Sequence, residues 1–182
     1  MLKTICPATG EEIAAYDLMS DETLSITLKA AQEAAHSWAR VPAQARASQL
    51  KHVAELLDAR IDTYAELITR EMGKPITQAR AEVEKCAWVC RYYAEEGPGF
   101  LADETLASDA SESYLSYHPL GVVLAVMPWN FPFWQVFRFA APALTAGNGG
   151  LLKHASNVTG CALAIEQIFK DAGYPEHLFR AL

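Results

Sequence analysis

The stretch that decides the fold is 120–135, LGVVLAVMPWNFPFWQ, where an apolar run gives way to prolines and aromatic residues. Its first seven residues carry no charge and include three valines, which predicts a strand buried on both faces of a parallel sheet. Pro128 and Pro132 fix their own φ angles and restrict the residues that precede them. We therefore expect a stiff connection around Asn130, followed by a helix from about Phe133 to Leu144.

A second strand and helix follow the first pair. Residues 149–154, GGLLKH, are predicted to form a strand, and Ser156 or Asn157 is expected to cap a helix over 158–172. The apolar face of that helix would consist of Cys161, Ala164, Ile165, Ile168 and Phe169. A third strand is expected at 177–182. This β-α-β-α-β order predicts an α/β fold that contains the first half of a doubly wound, Rossmann-like parallel sheet.

Asn130 lies where the first strand of that sheet ends. In open α/β sheets, ligands bind beyond the carboxyl ends of the strands. A rigidly held asparagine in this place can donate its amide N–H to an oxygen that gains negative charge in a transition state. The alternative is a core strand that a proline ends, with Asn130 in a structural role, and the stretch alone does not separate the two.

The residues before this sheet are expected to be mainly helical. A strand pair is predicted over 1–17, with its turn at Thr9-Gly10, and 95–99, EEGPG, is predicted to be a linker. Residues 111–118 alternate polar and apolar side chains, which is typical of a half-exposed strand. Four helices are predicted, at 20–38, from 41 onward, at 62–71 and at 76–94.

Composition limits the classes of function. The 182 residues are 51% hydrophobic, which suits one globular domain. A formal net charge of −7 disfavours nucleic acid as a partner. No apolar stretch has the length of a membrane span, and the first residues lack the apolar core of a signal peptide. We therefore expect a cytoplasmic protein that binds neither nucleic acid nor membrane.

Neither the cysteines nor the glycine cluster predicts a ligand site. Cys86 and Cys90 would share one face of a helix, and no nearby His or Cys pair completes a metal site, so both are interpreted as core thiols. No metal site is expected elsewhere. The cluster Gly147–Gly150 precedes a strand, whereas a dinucleotide-binding glycine motif follows one. It is interpreted as the end of a helix.

Several motifs resemble those of the aldehyde dehydrogenase superfamily, and within it the bacterial succinate-semialdehyde dehydrogenases. The PWNFP motif is specific, whereas the others are individually weak but fall in the expected order. The segments that carry the resemblance are PWNFP (128–132), PALTAGN (142–148), LLKHASN (151–157), PATGE (7–11), REMGKP (70–75) and AEVE (81–84). The resemblance thus extends over essentially the whole chain.

The resemblance implies a division of the chain and a reaction. Residues 1–108 would be the helical part of a cofactor-binding domain, 109–119 a strand of a small oligomerisation sheet, and 120–182 the start of the Rossmann-like sheet. In this family a cysteine thiolate attacks the aldehyde, hydride passes to the nicotinamide, and water hydrolyses the thioester. Asn130 would stabilise the oxyanion.

The nucleophilic cysteine and the glutamate base of the family lie downstream of the KHASN segment. None of the four cysteines of this chain occupies the nucleophile position. The chain is therefore expected to be the N-terminal portion of a larger enzyme and to be inactive alone.

The resemblance also implies NADP or NAD as the cofactor. Lys153 would contact the adenosine ribose, and Ser156 falls where many relatives carry a glutamate that binds the ribose hydroxyls of NAD. Because serine does not repel a 2′-phosphate and Lys153 offsets its charge, NADP is expected to be accepted, while NAD is not excluded. His154, where relatives often carry proline, is interpreted as local packing. The nicotinamide-ribose side would be lined by the backbone of Met127, Pro128 and Trp129.

The substrate prediction depends on Arg138. Gln135 and Arg138 are three residues apart on the predicted helix and so share a face, with Phe131 and Trp134 near the same opening. Many relatives that prefer neutral aldehydes carry an aromatic residue at Arg138, whereas the succinate-semialdehyde enzymes carry arginine. A guanidinium binds a carboxylate through two parallel hydrogen bonds, which predicts a small aldehyde with a carboxylate. The alternative is an arginine that extends into solvent or pairs within its own protein.

Two other functions are weighed against succinate semialdehyde oxidation in a homo-oligomeric enzyme. One is an aldehyde dehydrogenase for another small aldehyde. The other is a non-catalytic interaction module derived from such an enzyme, which would have to fold with an unpaired third strand. A reading frame that continues past Leu182 into a cysteine and a glutamate would favour the enzyme over the module.

Overall fold

The computed structural model describes all residues, 1–182, and has the predicted α/β architecture. The helices are α1 (Asp21–Trp38), α2 (Ala43–Ala59), α3 (Ile61–Met72), α4 (Ile76–Phe100), α5 (Trp134–Thr145) and α6 (Thr159–Asp171). The strands are β1 (Leu2–Ile5), β2 (Glu12–Tyr16), β3 (Glu104–Thr105), β4 (Tyr114–Leu115), β5 (Val122–Met127), β6 (Gly149–His154) and β7 (Phe179–Ala181).

The strands form one parallel sheet and two small antiparallel pairs. The parallel sheet has the order β5-β6-β7, with α5 and α6 as the crossovers, which confirms the predicted half of a doubly wound sheet. Val126 is paired with Lys153 and Met127 with His154, so the carboxyl ends of β5 and β6 lie side by side. The other pairs are β1-β2, as predicted around the turn at Gly10, and β3-β4.

The prediction that β5 is buried on both faces is wrong. Ala125 is 4% exposed, whereas Leu124 and Val126 are 58% and 68% exposed. Successive side chains of a strand point to opposite faces, so this alternation means that one face is covered and the other open. β5 is also an edge strand of the sheet, with β6 on one side only.

The predicted linker at 95–99 is also wrong, because α4 continues through it to Phe100. Gly97 is buried where α4 crosses α5, and a Cβ atom there would lie 2.6 Å from Cγ2 of Thr145. The glycine thus allows the two helices to approach closely. Packing against α5 outweighs the local preference of the EEGPG segment for a loop, since propensity is a weak prior that tertiary contacts override.

Three other boundaries differ from the sequence prediction. The exposed strand expected over 111–118 is reduced to Tyr114–Leu115, and the third parallel strand covers Phe179–Ala181. Residues 156–158 form a 3₁₀ turn, and no side chain from this turn caps α6. By contrast, α1 begins with a local cap, because the amide of Thr23 donates to the Ser20 hydroxyl at 3.1 Å.

One hydrophobic core joins the N-terminal helices to the parallel sheet. Cys86 and Cys90 are fully buried in it on α4, as predicted, and Cys161 is buried on α6. Burial raises the pKa of all three thiols, so they stay protonated near neutral pH. No helix combines the length and the apolar character needed to cross a bilayer.

Candidate active site

The connection between β5 and α5 presents Asn130 at the carboxyl edge of the parallel sheet. Asn130 and Trp129 are exposed, whereas Pro132 and Phe133 at the far end of the connection are buried. The side-chain amide of Gln135 donates to the backbone carbonyl of Asn130 at 3.3 Å. The connection is therefore anchored at its helical end, and Asn130 lies exposed within it.

A buried glutamate from α4 holds the start of α5. Oε1 of Glu82 accepts from the backbone N–H of Phe133 at 2.8 Å and of Trp134 at 2.9 Å. Its other oxygen pairs with the ammonium of Lys74, and the two side chains are 1% and 6% exposed. The Lys74 ammonium also lies 3.5 Å from the ring centroid of Phe131, a cation–π contact. Phe131 and the helix start that follows it are thus held by two charged side chains, Lys74 and Glu82.

His154 connects the end of β6 to the same connection. Its Nε2 lies 2.9 Å from the carbonyl of Pro132, and the amide of Ala155 donates to its Nδ1 at 3.0 Å. These partners require the neutral ring with the proton on Nε2. Nδ1 also lies 3.3 Å from the carbonyl of Met127. Burial lowers the pKa of His154, which favours this neutral form. The histidine packs locally, as predicted, and its Nε2–H joins the end of β6 to the connection that follows β5.

The start of α6 is held by a second buried glutamate. Glu71 accepts from the backbone N–H of Gly160 at 2.9 Å and of Cys161 at 2.8 Å, and it is 1% exposed. A Cβ atom on Gly160 would lie 2.6 Å from Oε1 of Glu71, so only glycine leaves room for the carboxylate. In many nucleotide-binding sheets a phosphate occupies such a helix N-terminus. Here those two donors are already used.

A cleft of about 870 Å³ lies beside the carboxyl end of β6. Lys153 and Ser156 line it and are exposed, together with residues of the β2–α1 connection, α6 and β7. Lys153 takes part in no ion pair within the chain. A free ammonium beside an exposed hydroxyl fits a phosphorylated ribose, which needs a cation and a hydrogen-bond donor. Met127, Pro128 and Trp129 lie outside this cleft, at the end of the neighbouring strand.

Arg138 lies in the second turn of α5, three residues after Gln135. Its side chain is exposed and, like that of Lys153, forms no ion pair within the chain. Gln135 and Trp134 are partly buried, and the ammonium of Lys85 lies 4.1 Å from a ring centroid of Trp134. The structure thus leaves the Arg138 guanidinium available to a ligand and does not support a partner carboxylate within the chain.

Sequence reasoning missed the charged residues that hold these connections. Glu71, Lys74 and Glu82 were noted only as members of the motifs REMGKP and AEVE, which carry the family resemblance. Their presence in these motifs was the available signal. The contacts of Glu82 and Glu71 with the helix starts join residues 51 and 89 positions apart in the chain, so no local pattern predicts these contacts.

The family model for the aldehyde dehydrogenase family matches residues 1–182. This chain belongs to the aldehyde dehydrogenase family. It is 55% identical over 181 residues to a probable succinate-semialdehyde dehydrogenase [NADP(+)] of Synechocystis sp. (strain ATCC 27184 / PCC 6803 / Kazusa). It is 46% identical over 176 residues to a succinate semialdehyde dehydrogenase [NAD(P)+] of Escherichia coli (strain K12). These matches cover 100% and 97% of the chain.

Solved structures of family members have the same fold. The crystal structure of succinic semialdehyde dehydrogenase from Streptococcus pyogenes, in complex with NADP+, superposes with a TM-score of 0.96 at 36% identity. That match covers 100% of this chain and 40% of the other. The chain likewise spans 40% and 38% of the length of the two curated relatives. It corresponds to the N-terminal portion of the family, and the three relatives above are named succinate-semialdehyde dehydrogenases.

Proposed function

We propose that this chain is part of an aldehyde dehydrogenase that oxidises succinate semialdehyde to succinate with NADP or NAD. The observation that carries the proposal is the exposure of Arg138, which lies on the helix that follows Asn130. Its guanidinium forms no ion pair within the chain. A carboxylate on the substrate would supply that partner. The relatives whose names state this substrate, at 46% and 55% identity, support the same choice.

In this proposal the chain supplies the oxyanion donor and one wall of the aldehyde site. The Asn130 side-chain N–H would donate to the aldehyde oxygen as its negative charge develops. Phe131, Trp134 and Gln135 would line the path to that oxygen, and Arg138 would bind the carboxylate at the far end of the substrate. The nucleophile and the base would come from other parts of the enzyme, so the chain alone would be inactive.

The cofactor would bind along the carboxyl edge of the sheet, where it would accept the hydride removed from the aldehyde. Lys153 and Ser156 would hold the adenosine ribose in the cleft, with Lys153 offsetting the charge of a 2′-phosphate. The backbone of Met127, Pro128 and Trp129 would line the nicotinamide-ribose side. The free cation and the exposed Ser156 hydroxyl support NADP as an accepted cofactor.

The test is Arg138→Leu in the full-length enzyme, assayed with succinate semialdehyde and with uncharged butanal. Hydrogen bonds to a charged partner are worth roughly 1.5–3 kcal/mol, so kcat/KM for succinate semialdehyde should fall by roughly one to two orders of magnitude. The value for butanal should change little or rise. Arg91→Leu is the matched control, because Arg91 is an exposed arginine that pairs with Asp58 on α2.

Two outcomes would redirect the proposal. Equal losses on both aldehydes would make Arg138 a structural residue and remove the main support for this substrate. A wild-type enzyme that prefers an uncharged aldehyde would favour the alternative, an aldehyde dehydrogenase for another small aldehyde.

We also propose that 109–119 contributes to an oligomerisation sheet in a homo-oligomer, which the mass of the full-length protein in solution would test.

A further inference from the structure

Two buried carboxylates each hold the start of one helix beside the candidate active site. Glu82 binds the first two N–H groups at the start of α5, and Glu71 binds two N–H groups in the first turn of α6. Neither glutamate belongs to the connection that it holds. Each reaches from the α3–α4 region to the helix that follows a parallel strand.

Such an arrangement restricts the backbone strongly. The first N–H groups of a helix have no partner within the helix, and a carboxylate that accepts from two of them fixes both the position and the direction of that end. Glu82 is 4% exposed and Glu71 is 1% exposed, so water cannot easily replace either one. The positions of Phe133 and Trp134 are therefore set by Glu82.

Lys74 extends this control to the residue after Asn130. Its ammonium is shared between the Glu82 carboxylate and the ring of Phe131, whose centroid lies 3.5 Å away. The side chain is 6% exposed, so the ion pair and the cation–π contact are both largely shielded from water. A change in the charge of Glu82 would therefore affect Phe131 as well as the helix start.

We propose that Glu82, together with Lys74, is a positioning residue that aims the Asn130 amide at the aldehyde oxygen, while Glu71 holds the cofactor side. This rests on the proposed role of Asn130 as the oxyanion donor. Because Glu82 is buried, it would act through the backbone of Phe133 and Trp134 and, through Lys74, on the ring of Phe131. A misplacement of about 1 Å in a reacting geometry costs on the order of 100-fold in rate.

The test is Glu82→Gln in the full-length enzyme. Glutamine keeps the size and one acceptor oxygen but removes the charge that Lys74 needs. The acylation rate is measured as the rate at which reduced cofactor forms in the first turnover at saturating NADP+. This rate should fall about ten- to 100-fold. The Kd for NADP+, measured by quenching of tryptophan fluorescence, should stay within about twofold of wild type, because the displaced geometry is that of Asn130 and not that of the second connection.

Glu71→Gln is the matched control, because it alters an equally buried carboxylate that caps the other helix. It should raise the Kd for NADP+, and its acylation rate at saturating cofactor should fall much less than that of Glu82→Gln. Equal losses of acylation in the two variants would mean that both act by general destabilisation, and the proposal would be overturned.

Combination with Asn130→Ala separates the positioning role from the role of Asn130 itself. If Glu82 acts through Asn130, Glu82→Gln should cause little further loss of acylation in the Asn130→Ala background, because coupled residues are not additive. A full additional loss would overturn the positioning role. An unchanged rate in Asn130→Ala alone would instead overturn the proposed oxyanion donor.

If the glutamine variant does not fold, Glu82→Asp carries the same test. Aspartate keeps the charge beside Lys74 but withdraws the carboxylate by one methylene from Phe133 and Trp134. It should lower acylation and leave the Kd for NADP+ unchanged. A folded Glu82→Asp enzyme with wild-type acylation would overturn the proposal.

Discussion

The two connections that follow β5 and β6 are held in the same way but present different surfaces. In each, a buried glutamate from the α3–α4 region binds two N–H groups at the start of the next helix. The first connection, 128–133, exposes Asn130 among aromatic residues. The second, 155–158, consists of Ala155 and a short 3₁₀ turn over 156–158, and its Ser156 borders the cleft.

One architectural device would thus support the two kinds of recognition proposed above. Because the protein already uses N–H groups at both helix starts, the proposed ligand recognition would fall to side chains and to the backbone of the connections themselves. The longer connection carries two prolines and is also held by His154 and Lys74, which suits the placement of the proposed oxyanion donor. The shorter one leaves Ser156 exposed, which suits selection among cofactors.

The largest effect is expected at the first connection. Asn130→Ala in the full-length enzyme should lower the acylation rate by ~10²–10³, because one oxyanion donor is lost. The Kd for NADP+ should remain nearly unchanged, since the variant leaves the second connection intact. Single-turnover kinetics and a fluorescence titration measure the two quantities. A wild-type acylation rate would remove Asn130 from the mechanism.

A smaller effect is expected when the second connection is changed. Ser156→Glu should raise the KM for NADP about tenfold or more relative to that for NAD, since hydrogen bonds to charged groups are worth roughly 1.5–3 kcal/mol. The introduced carboxylate also repels the 2′-phosphate. Steady-state kinetics with both cofactors provide the measurement.

Ser156→Ala is the control for that change, because it removes the hydroxyl without adding charge. It should weaken NADP less than the glutamate variant does. If wild type showed no turnover with NADP, or if Ser156→Glu left the preference between cofactors unchanged, the assignment of Ser156 to the 2′-phosphate would be wrong.

The third prediction concerns the space around Glu71. Gly160→Ala should lower the free energy of unfolding by about 1–3 kcal/mol, the usual cost of overpacking. Its Cβ atom would lie 2.6 Å from a carboxylate oxygen that two hydrogen bonds hold in place. Gly99→Ala is the control, because nothing lies within 4 Å of a Cβ atom there.

Both variants can be compared by urea unfolding. Gly99→Ala should be neutral or gain up to about 1 kcal/mol from helix propensity. If Gly160→Ala proved as stable as its control, Glu71 would be free to move. The connection after β6 would then not be held as firmly as the one after β5.

The smallest effect is expected from the histidine that links the two connections. Burial lowers the pKa of His154, while the carbonyls of Pro132 and Met127 and the Glu71 carboxylate oppose that shift and Lys153 adds to it. The unfolded chain therefore binds this proton first, near pH 6.5. The stability associated with neutral His154 is present above that pH and is lost as the pH falls toward the lower pKa of the folded state.

Thermal unfolding tests this contribution of His154 to the pH dependence of stability. It is measured at about pH 7.5 and about pH 5.5, on either side of an ordinary histidine pKa. The difference in Tm between the two conditions should be smaller in His154→Gln than in wild type, because the variant cannot take up that proton. An identical difference in both proteins would show that His154 does not contribute to the pH dependence.

Much of the fold was predictable because its determinants are local. The strand at 149–154 was predicted with the bounds that the structure has, and the helix after β5 ends at Thr145, two residues before Gly147, whose φ of 94° favours glycine. The failure at 95–99 has the opposite cause. There the local composition favours a loop, but the contact between Gly97 and Thr145 of α5 extends the helix.

The candidate site likewise has some features with local determinants and others that depend on tertiary contacts. The sequence by itself determined the order of strands and helices and the place of Asn130 and Ser156 at the strand ends, because periodicity and proline positions act over a few residues. Only the tertiary structure decided what holds those residues. Glu82 and Glu71 meet their helices across 51 and 89 residues, and such contacts exist only once the chain has packed and buried them.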